Sequence, residues 1–188
     1  MKVYVVDNGG QWTHREWRVL RYLGCDAEIV PNTVPPEKLK DADALVLSGG
    51  APRISMETFK LGRVSEYLDT LEIPILGICV SHQYIAIHFG GSAGPAEVPE
   101  YGKTEIEILD ANDLFQGLPD KIVVWESHND EVKEVPENLY LLASSKHCKV
   151  QAIKHRSKPI YGVQFHPEVE HTQFGYDIFK NFLKLCKS

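Results

Sequence analysis

The first half of the chain alternates short apolar runs with amphipathic segments. The apolar runs predict strands at residues 3–6, 27–30, 44–47 and 73–78. The amphipathic segments predict helices at residues 11–23, 57–71 and 82–89, with a short helical turn at 35–39. Because these strands are apolar along their whole length, we expect a parallel sheet that is buried beneath helices on both faces.

The pattern changes after Gly94, where the apolar runs become shorter and turn residues separate them. These runs predict further strands at residues 103–109, 121–125, 140–143, 150–154 and 160–164. A last amphipathic helix is predicted over residues 174–185. We therefore expect a single α/β domain spanning residues 1–188, whose mostly parallel central sheet is extended by antiparallel or mixed strands in the C-terminal half.

Composition narrows the possible functions. The formal net charge of -6 and a sequence pI of about 5.7 argue against a general partner of nucleic acids or acidic membranes, which need a positive field. The four cysteines are widely spaced, and neither they nor the eight histidines show a metal-binding pattern, so we expect no metal. The N-terminus has no signal-like segment and no apolar run is long enough for a bilayer, which predicts a soluble, cytoplasmic protein.

Cys79 ends the fourth predicted strand, and helix-compatible sequence follows it at once. Gly77 and Ser81 stand two residues before and after it, where a sharp strand-to-helix turn needs small side chains. A thiol at the first turn of a helix lies beside unpaired N–H groups, which favour the thiolate. The pattern is that of a nucleophile elbow, although a small buried core cysteine also fits this stretch.

A base and a carboxylate follow the last predicted strand. In an extended segment alternate side chains face the same way, so His166 and Glu168 lie on one side of Pro167. If that side faces Cys79, the three residues form a nucleophile, a general base and an orienting acid. Taken alone, this short segment is equally compatible with an ordinary loop.

The turn at Ser48, Gly49 and Gly50 follows the strand that is expected beside the Cys79 strand. The N–H of Gly50, which has no side chain in the way, and the N–H of Val80 could stabilise an oxyanion, although a plain tight turn is the alternative. The turn continues with Ala51 rather than an Asp-Ser pair, and no phosphate-binding glycine loop occurs elsewhere. The sequence therefore contains no recognisable ATP site.

Two motifs together resemble the class I glutamine amidotransferases over essentially the whole chain: residues 77–83, Gly-Ile-Cys-Val-Ser-His-Gln, and residues 162–168, Gly-Val-Gln-Phe-His-Pro-Glu. Within that family, the GMP synthetase branch is the most similar at residues 7–11, 100–103, 112–115, 125–130 and 166–172. The resemblance implies a flavodoxin-like fold. It also implies a partner, the ATP-pyrophosphatase subunit, which would use ATP and Mg while this chain needs no cofactor.

The resemblance also implies roles for individual residues. Cys79 would attack the side-chain amide of glutamine, His166 would transfer the proton, and Glu168 would orient His166. The oxyanion hole would comprise the backbone N–H groups of Gly50 and Val80. The glutamine itself would be held by Gly50, Gln83, Ser127 and Asn129.

The implied function is hydrolysis of glutamine to glutamate and ammonia, which the partner uses to convert XMP to GMP. Three alternatives stay open: another ammonia acceptor, a γ-glutamyl hydrolase, and a non-catalytic binding or regulatory module. The family usually has glycine in place of Ser81 and proline in place of Ala51. Ser81 adds a hydroxymethyl group at the tight elbow and Ala51 loosens the oxyanion turn, so we expect a poor glutaminase without its partner.

Overall fold

Apolar strands with buried side chains on both faces form the centre of one nine-stranded sheet. The computed structural model describes residues 1–187. The strands are β1 (Lys2–Asp7), β2 (Asp26–Pro31), β3 (Ala44–Leu47), β4 (Ile75–Ile78), β5 (Ser92–Ile108), β6 (Lys121–Glu134), β7 (Leu139–Ser145), β8 (Ala152–His155) and β9 (Ile160–Val163). The α-helices are α1 (Thr13–Tyr22), α2 (Val64–Thr70), α3 (Val80–His88) and α4 (Gly175–Lys184). Short 3₁₀ turns lie at Pro36–Leu39, Thr58–Leu61, Asp113–Phe115 and Leu185–Lys187.

The sheet is parallel on one side and antiparallel on the other. Its strand order is β2-β1-β3-β4-β9-β8-β7-β5-β6. Pairs from β2 across to β9 are parallel, and pairs from β9 across to β6 are antiparallel. This arrangement confirms the predicted α/β fold, in which the C-terminal strands extend a parallel sheet.

Helices cover both faces of the sheet, and each face has its own apolar cluster. On one face, α1 and α4 pack Leu20, Phe179 and Phe182 against alternate strand residues such as Val5. On the other face, α2 and α3 contribute a second cluster with the intervening strand residues. The alternation of buried side chains along β1 therefore reflects two cores that share one sheet.

Two predictions of element length were wrong. The helix predicted over residues 57–71 is interrupted at Gly62, which has a positive φ of 57°. Gly62 also lies so close to Asn32 that a Cβ on it would be 2.5 Å from the Asn32 carbonyl oxygen. Strands β5 and β6 are much longer than predicted. Their extensions form a long hairpin whose register shifts between Pro95 and Glu100, so the alternation of polar and apolar residues is disturbed there.

The carboxyl ends of four neighbouring parallel strands meet at one edge of the sheet. The loops that follow β1, β3, β4 and β9 carry Asn8 to Gly10, Ser48 to Gly50, Cys79 and His166 respectively. This edge is where open α/β sheets bind their ligands. Among residues 1–187, no helix is long and apolar enough to cross a membrane.

Candidate active site

Cys79 lies at a sharp turn between β4 and α3, as the elbow pattern predicted. Its φ of 54° and ψ of -108° place a non-glycine residue in a conformation that costs energy. Gly77 makes the turn possible, because a Cβ there would lie 2.6 Å from the Ile85 side chain and 3.1 Å from the Ser81 backbone. Since α3 begins at Val80, backbone N–H groups without helical partners lie beside the cysteine.

His166 and Glu168 lie on one side of the segment after β9, as predicted. His166 Nδ1 is hydrogen-bonded to Glu168 Oε1 at 2.6 Å, and both side chains are buried. Burial opposes the charged imidazole, but the Glu168 carboxylate and the interaction with Cys79 prevail and raise the pKa of His166 well above its ordinary value. The Trp12 ring packs edge-on against the imidazole, with 4.5 Å between ring centroids.

Gly49 shows how close the cysteine and the histidine lie. A Cβ on this glycine would be 3.1 Å from His166 Cε1 and 3.5 Å from Cys79 Cβ. Because His166 Nδ1 is occupied by Glu168, the other ring nitrogen, Nε2, is left for proton exchange with the thiol. The structure therefore brings the three predicted catalytic residues together.

Gly50 lies in a loop that touches the loop after β1, backbone to backbone. A Cβ on Gly50 would lie 2.4 Å from the Asn8 carbonyl oxygen, and a Cβ on Gly10 would lie 2.4 Å from the Gly49 carbonyl oxygen. Neither position has room for a side chain. Gly50 and Val80, the two predicted oxyanion-hole residues, both line the cleft beside Cys79.

The cleft has a volume of about 310 Å³ and contains all the predicted glutamine-binding residues, since Gln83, Ser127 and Asn129 join Gly50 on its walls. Gln83 Nε2 donates to the Asp130 carbonyl at 2.8 Å and to Gln164 Oε1 at 3.0 Å. The side-chain nitrogen of Gln83 is thus hydrogen-bonded to the backbone of strand β6 at Asp130. The size of the cleft suits a small molecule.

Sequence reasoning missed several residues around Cys79. Gln164 Nε2 lies 3.6 Å from the Cys79 sulfur, and the Arg53 guanidinium pairs with the buried Asp130 carboxylate at 2.7 and 3.1 Å. Gln164 lies inside the motif at residues 162–168 and Asp130 inside the similar stretch at residues 125–130, which is a signal that could have identified them. Arg53 carries no local signal, because its partner is distant in sequence.

Glu16 is a second buried carboxylate at the cleft. It accepts a long hydrogen bond from the Gly49 N–H to Oε1 at 3.4 Å, while Oε2 has no hydrogen-bond partner among residues 1–187. Burial, followed by repulsion from Glu168, raises the pKa of Glu16 well above its ordinary value. Its sequence signal is an acidic residue on the apolar face of α1, near Val19 and Leu20.

A buried polar network adjoins the cleft, and His128 of β6, which lines the cleft, is at its centre. His128 Nδ1 donates to the Asp130 carbonyl at 2.8 Å, and its Nε2 lies 2.9 Å from Glu100 and 3.4 Å from Glu126. Glu100, His128 and Cys148 place possible metal-binding atoms within 4.8 Å of one another. Their polar atoms already bond within the protein, however, and the expectation of no metal stays a prediction.

The Ser81 hydroxymethyl group is held inside the elbow by hydrogen bonds. This side chain is completely buried and both of its hydrogen-bonding capacities are used, by Ser48 and Asn8. Ala51 is exposed at the rim of the cleft, and Pro52 follows it.

Comparisons with known proteins agree with this geometry. The family model for "Glutamine amidotransferase class-I" matches residues 4–186. A Thermoplasma acidophilum protein, named as one of the subunits of glutamine-hydrolysing GMP synthase, is 56% identical over all of this chain and 94% of its own length. The Thermococcus kodakarensis protein of the same name is 55% identical, over 98% of each chain.

Solved structures show the same similarity in three dimensions. The crystal structure of a putative GMP synthase subunit from Thermoplasma acidophilum has a TM-score of 0.95 and 56% identity, and covers all of this chain and 94% of its own. A glutamine amidotransferase from Thermotoga maritima has a TM-score of 0.76 at 21% identity, covering 100% and 82% of the two chains. The second similarity shows the fold alone.

Proposed function

Because the chain belongs to the class I glutamine amidotransferase family, we propose that it is the glutaminase subunit of a two-subunit GMP synthetase. The observation that carries this proposal is the assembly of Cys79, His166 and Glu168 at one cleft. The full-length similarity to proteins named as subunits of glutamine-hydrolysing GMP synthase supports the choice of pathway. An assembled triad also argues against a non-catalytic module.

The first half of the reaction forms a thioester. The Cys79 sulfur attacks the side-chain amide carbon of glutamine, and the carbonyl oxygen becomes an oxyanion that the Gly50 and Val80 N–H groups stabilise. The protonated His166 then donates its proton to the amide nitrogen. The C–N bond breaks, ammonia leaves, and a γ-glutamyl thioester remains on Cys79.

The second half regenerates the enzyme. His166, now neutral, accepts a proton from a water molecule whose oxygen attacks the thioester carbon. The C–S bond breaks, and glutamate leaves with the new C–O bond. Glu168 keeps the imidazole oriented and stabilises its charged form in both halves, which is consistent with the raised pKa of His166.

Glutamine recognition would use the cleft wall formed by Gln83, Ser127 and Asn129, which we assign to the amino-acid end of the substrate. Because Gln83 Nε2 already donates to the Asp130 carbonyl and to Gln164, Gln83 would accept from the substrate ammonium through its side-chain oxygen. Gly50 would contact the amide end.

The relatives are named as subunits, which implies that they work with a partner chain. For this chain we assign that partner as an ATP-pyrophosphatase subunit, which would use ATP and Mg to activate XMP for attack by ammonia. This chain would then need no cofactor of its own. A cytoplasmic location fits such a pathway and stays a prediction.

The proposal can be tested by reconstitution with the ATP-pyrophosphatase subunit encoded in the same genome. With XMP, ATP, Mg and glutamine, we expect GMP only when this chain is present. Ammonium chloride should replace both glutamine and this chain. The matched control is Cys79→Ala, which should abolish glutamine-dependent synthesis and leave ammonium-dependent synthesis intact.

The same experiment separates the alternatives. Glutamine hydrolysis without any GMP would indicate another acceptor, and cleavage of γ-glutamyl peptides in preference to glutamine would indicate a γ-glutamyl hydrolase. If glutamine were not hydrolysed even in the presence of the partner, and a glutamine-analogue chloroketone did not label Cys79, the catalytic proposal would be wrong.

A further inference from the structure

The peptide that supplies the Gly50 N–H is held in place by its own neighbours. Ser48 Oγ donates to the Gly49 carbonyl oxygen at 2.8 Å, and the same Oγ accepts from the Asn8 N–H at 2.8 Å. In a trans peptide the C=O and the following N–H point in opposite directions. Fixing the Gly49 oxygen therefore fixes the direction of the Gly50 N–H.

The preceding peptide, between Ser48 and Gly49, is also held by hydrogen bonds, and Ser81 donates one of them. The Ser48 carbonyl oxygen accepts from Ser81 Oγ at 2.7 Å and from Asn8 Nδ2 at 3.0 Å. Asn8 Nδ2 also donates to Ser81 Oγ at 2.9 Å, so the three groups form a closed ring of hydrogen bonds. On the other side of this peptide, the Gly49 N–H faces Glu16.

Burial makes the loss of any of these hydrogen bonds costly. Asn8, Ser48 and Ser81 are buried, with exposed fractions of 4%, 0% and 0%. A carbonyl that loses a donor at such a site cannot turn to water, so its peptide would rotate toward another partner. A glycine at position 81 would remove one of the two side-chain donors to Ser48.

We infer that Ser81, together with Asn8, is a positioning residue that orients the oxyanion-hole peptide toward Cys79. This inference rests on the proposed glutaminase function. Ser81 belongs to α3, directly behind the nucleophile, whereas Ser48 belongs to the loop after β3. The Ser81 hydroxyl thus ties the nucleophile elbow to the oxyanion loop, and a glycine would remove its hydrogen bonds to both Ser48 and Asn8.

The test compares a reaction that forms an oxyanion with one that does not. Glutamine hydrolysis needs the oxyanion hole, whereas alkylation of the Cys79 sulfur by iodoacetamide does not. For Ser81→Ala and Ser81→Gly, we expect kcat for glutamine to fall about tenfold, less than the loss on removing an oxyanion donor outright. KM and the alkylation rate at Cys79, followed by peptide mass spectrometry, should stay within twofold of the wild type.

Two further variants complete the experiment. Asn8→Ala removes the other donor to Ser48 and should lower kcat in the same way, with the double variant Asn8→Ala, Ser81→Ala losing less than the product of the two single effects. Ser144→Ala removes a hydroxyl outside the cleft and should retain wild-type kcat. All assays are run with and without the synthetase subunit.

The outcomes separate this inference from the proposed function. If the wild type hydrolyses glutamine and the Ser81 variants match its kcat, or lose alkylation as much as hydrolysis, the positioning role is wrong and the glutaminase function stands. If the wild type does not hydrolyse glutamine in either condition, the proposed function is wrong and this inference is wrong with it.

Discussion

Glu126 is a carboxylate of the buried polar network: His128 Nε2 lies 3.4 Å from its Oε2, but neither oxygen accepts a well-formed hydrogen bond in the part of the chain that the structure describes. Burial, and then repulsion from Glu100, raise the pKa of Glu126 well above its ordinary value. When the pKa of a carboxyl group is higher in the folded chain than in the unfolded chain, protonation favours the folded state. The group's contribution to the free energy of unfolding is therefore complete only at a pH below its unfolded pKa. That contribution is lost as the pH rises toward the folded pKa.

We therefore expect Glu126→Gln to stabilise the protein increasingly as the pH rises from about 5 toward the folded pKa of Glu126. The gain should approach about 1.4 kcal/mol per pH unit while Glu126 stays protonated in the folded chain. Urea unfolding across this pH range measures it. Glu134→Gln, at the exposed end of β6, is the control and should show no such slope. A gain for Glu126→Gln that does not change with pH would contradict the prediction.

Individual site residues were predictable where chemistry and spacing coincide. Cys79 stands between two small residues, which indicates a nucleophile at a sharp turn. His166 stands two positions before Glu168, which indicates that the two side chains face the same way. Glu16 and Arg53 could not be placed in this way. Their importance comes from contacts with Gly49 and with Asp130 that only the tertiary fold creates.

The elbow between β4 and α3 stores backbone strain at Cys79, whose φ of 54° suits glycine better than any residue with a Cβ. Cys79→Gly should therefore have a higher free energy of unfolding than Cys79→Ala, by about 1 kcal/mol. The same pair of substitutions at Lys180, which is exposed on α4, is the control, and there the order of stability should be reversed. There glycine should be about 1 kcal/mol less stable than alanine. Equal stability of the two Cys79 variants in thermal or urea unfolding would show that the turn is unstrained.

Strands were predictable from the sequence where their side chains are buried on both faces of the sheet. The all-apolar strands β3 and β4 were recognised within two residues, because side chains buried on both faces leave no ambiguity of pattern. The long hairpin of β5 and β6 was not. Glycines, prolines and register shifts interrupt its alternation, and its length depends on pairing between the two strands.

The whole molecule consists of two apolar clusters on opposite faces of one sheet. Ile178, on α4, belongs to the first cluster, and Ile85, on α3, belongs to the second; both are fully buried. Since the clusters lie on opposite faces, the two residues do not share their packing partners. Both clusters nevertheless use the same strands, so neither face can lose its packing without affecting the other.

This arrangement predicts additive energetics within one cooperative transition. Ile178→Val and Ile85→Val should each lower the free energy of unfolding by about 0.5–1.5 kcal/mol, the usual cost of one buried methylene. The double variant should equal the sum within about 0.5 kcal/mol. Urea unfolding followed by tryptophan fluorescence and by far-ultraviolet circular dichroism should give coincident curves for all four proteins. Separate transitions, in which one variant shifts one curve and the other variant shifts the second, would show that the faces unfold independently despite their common sheet.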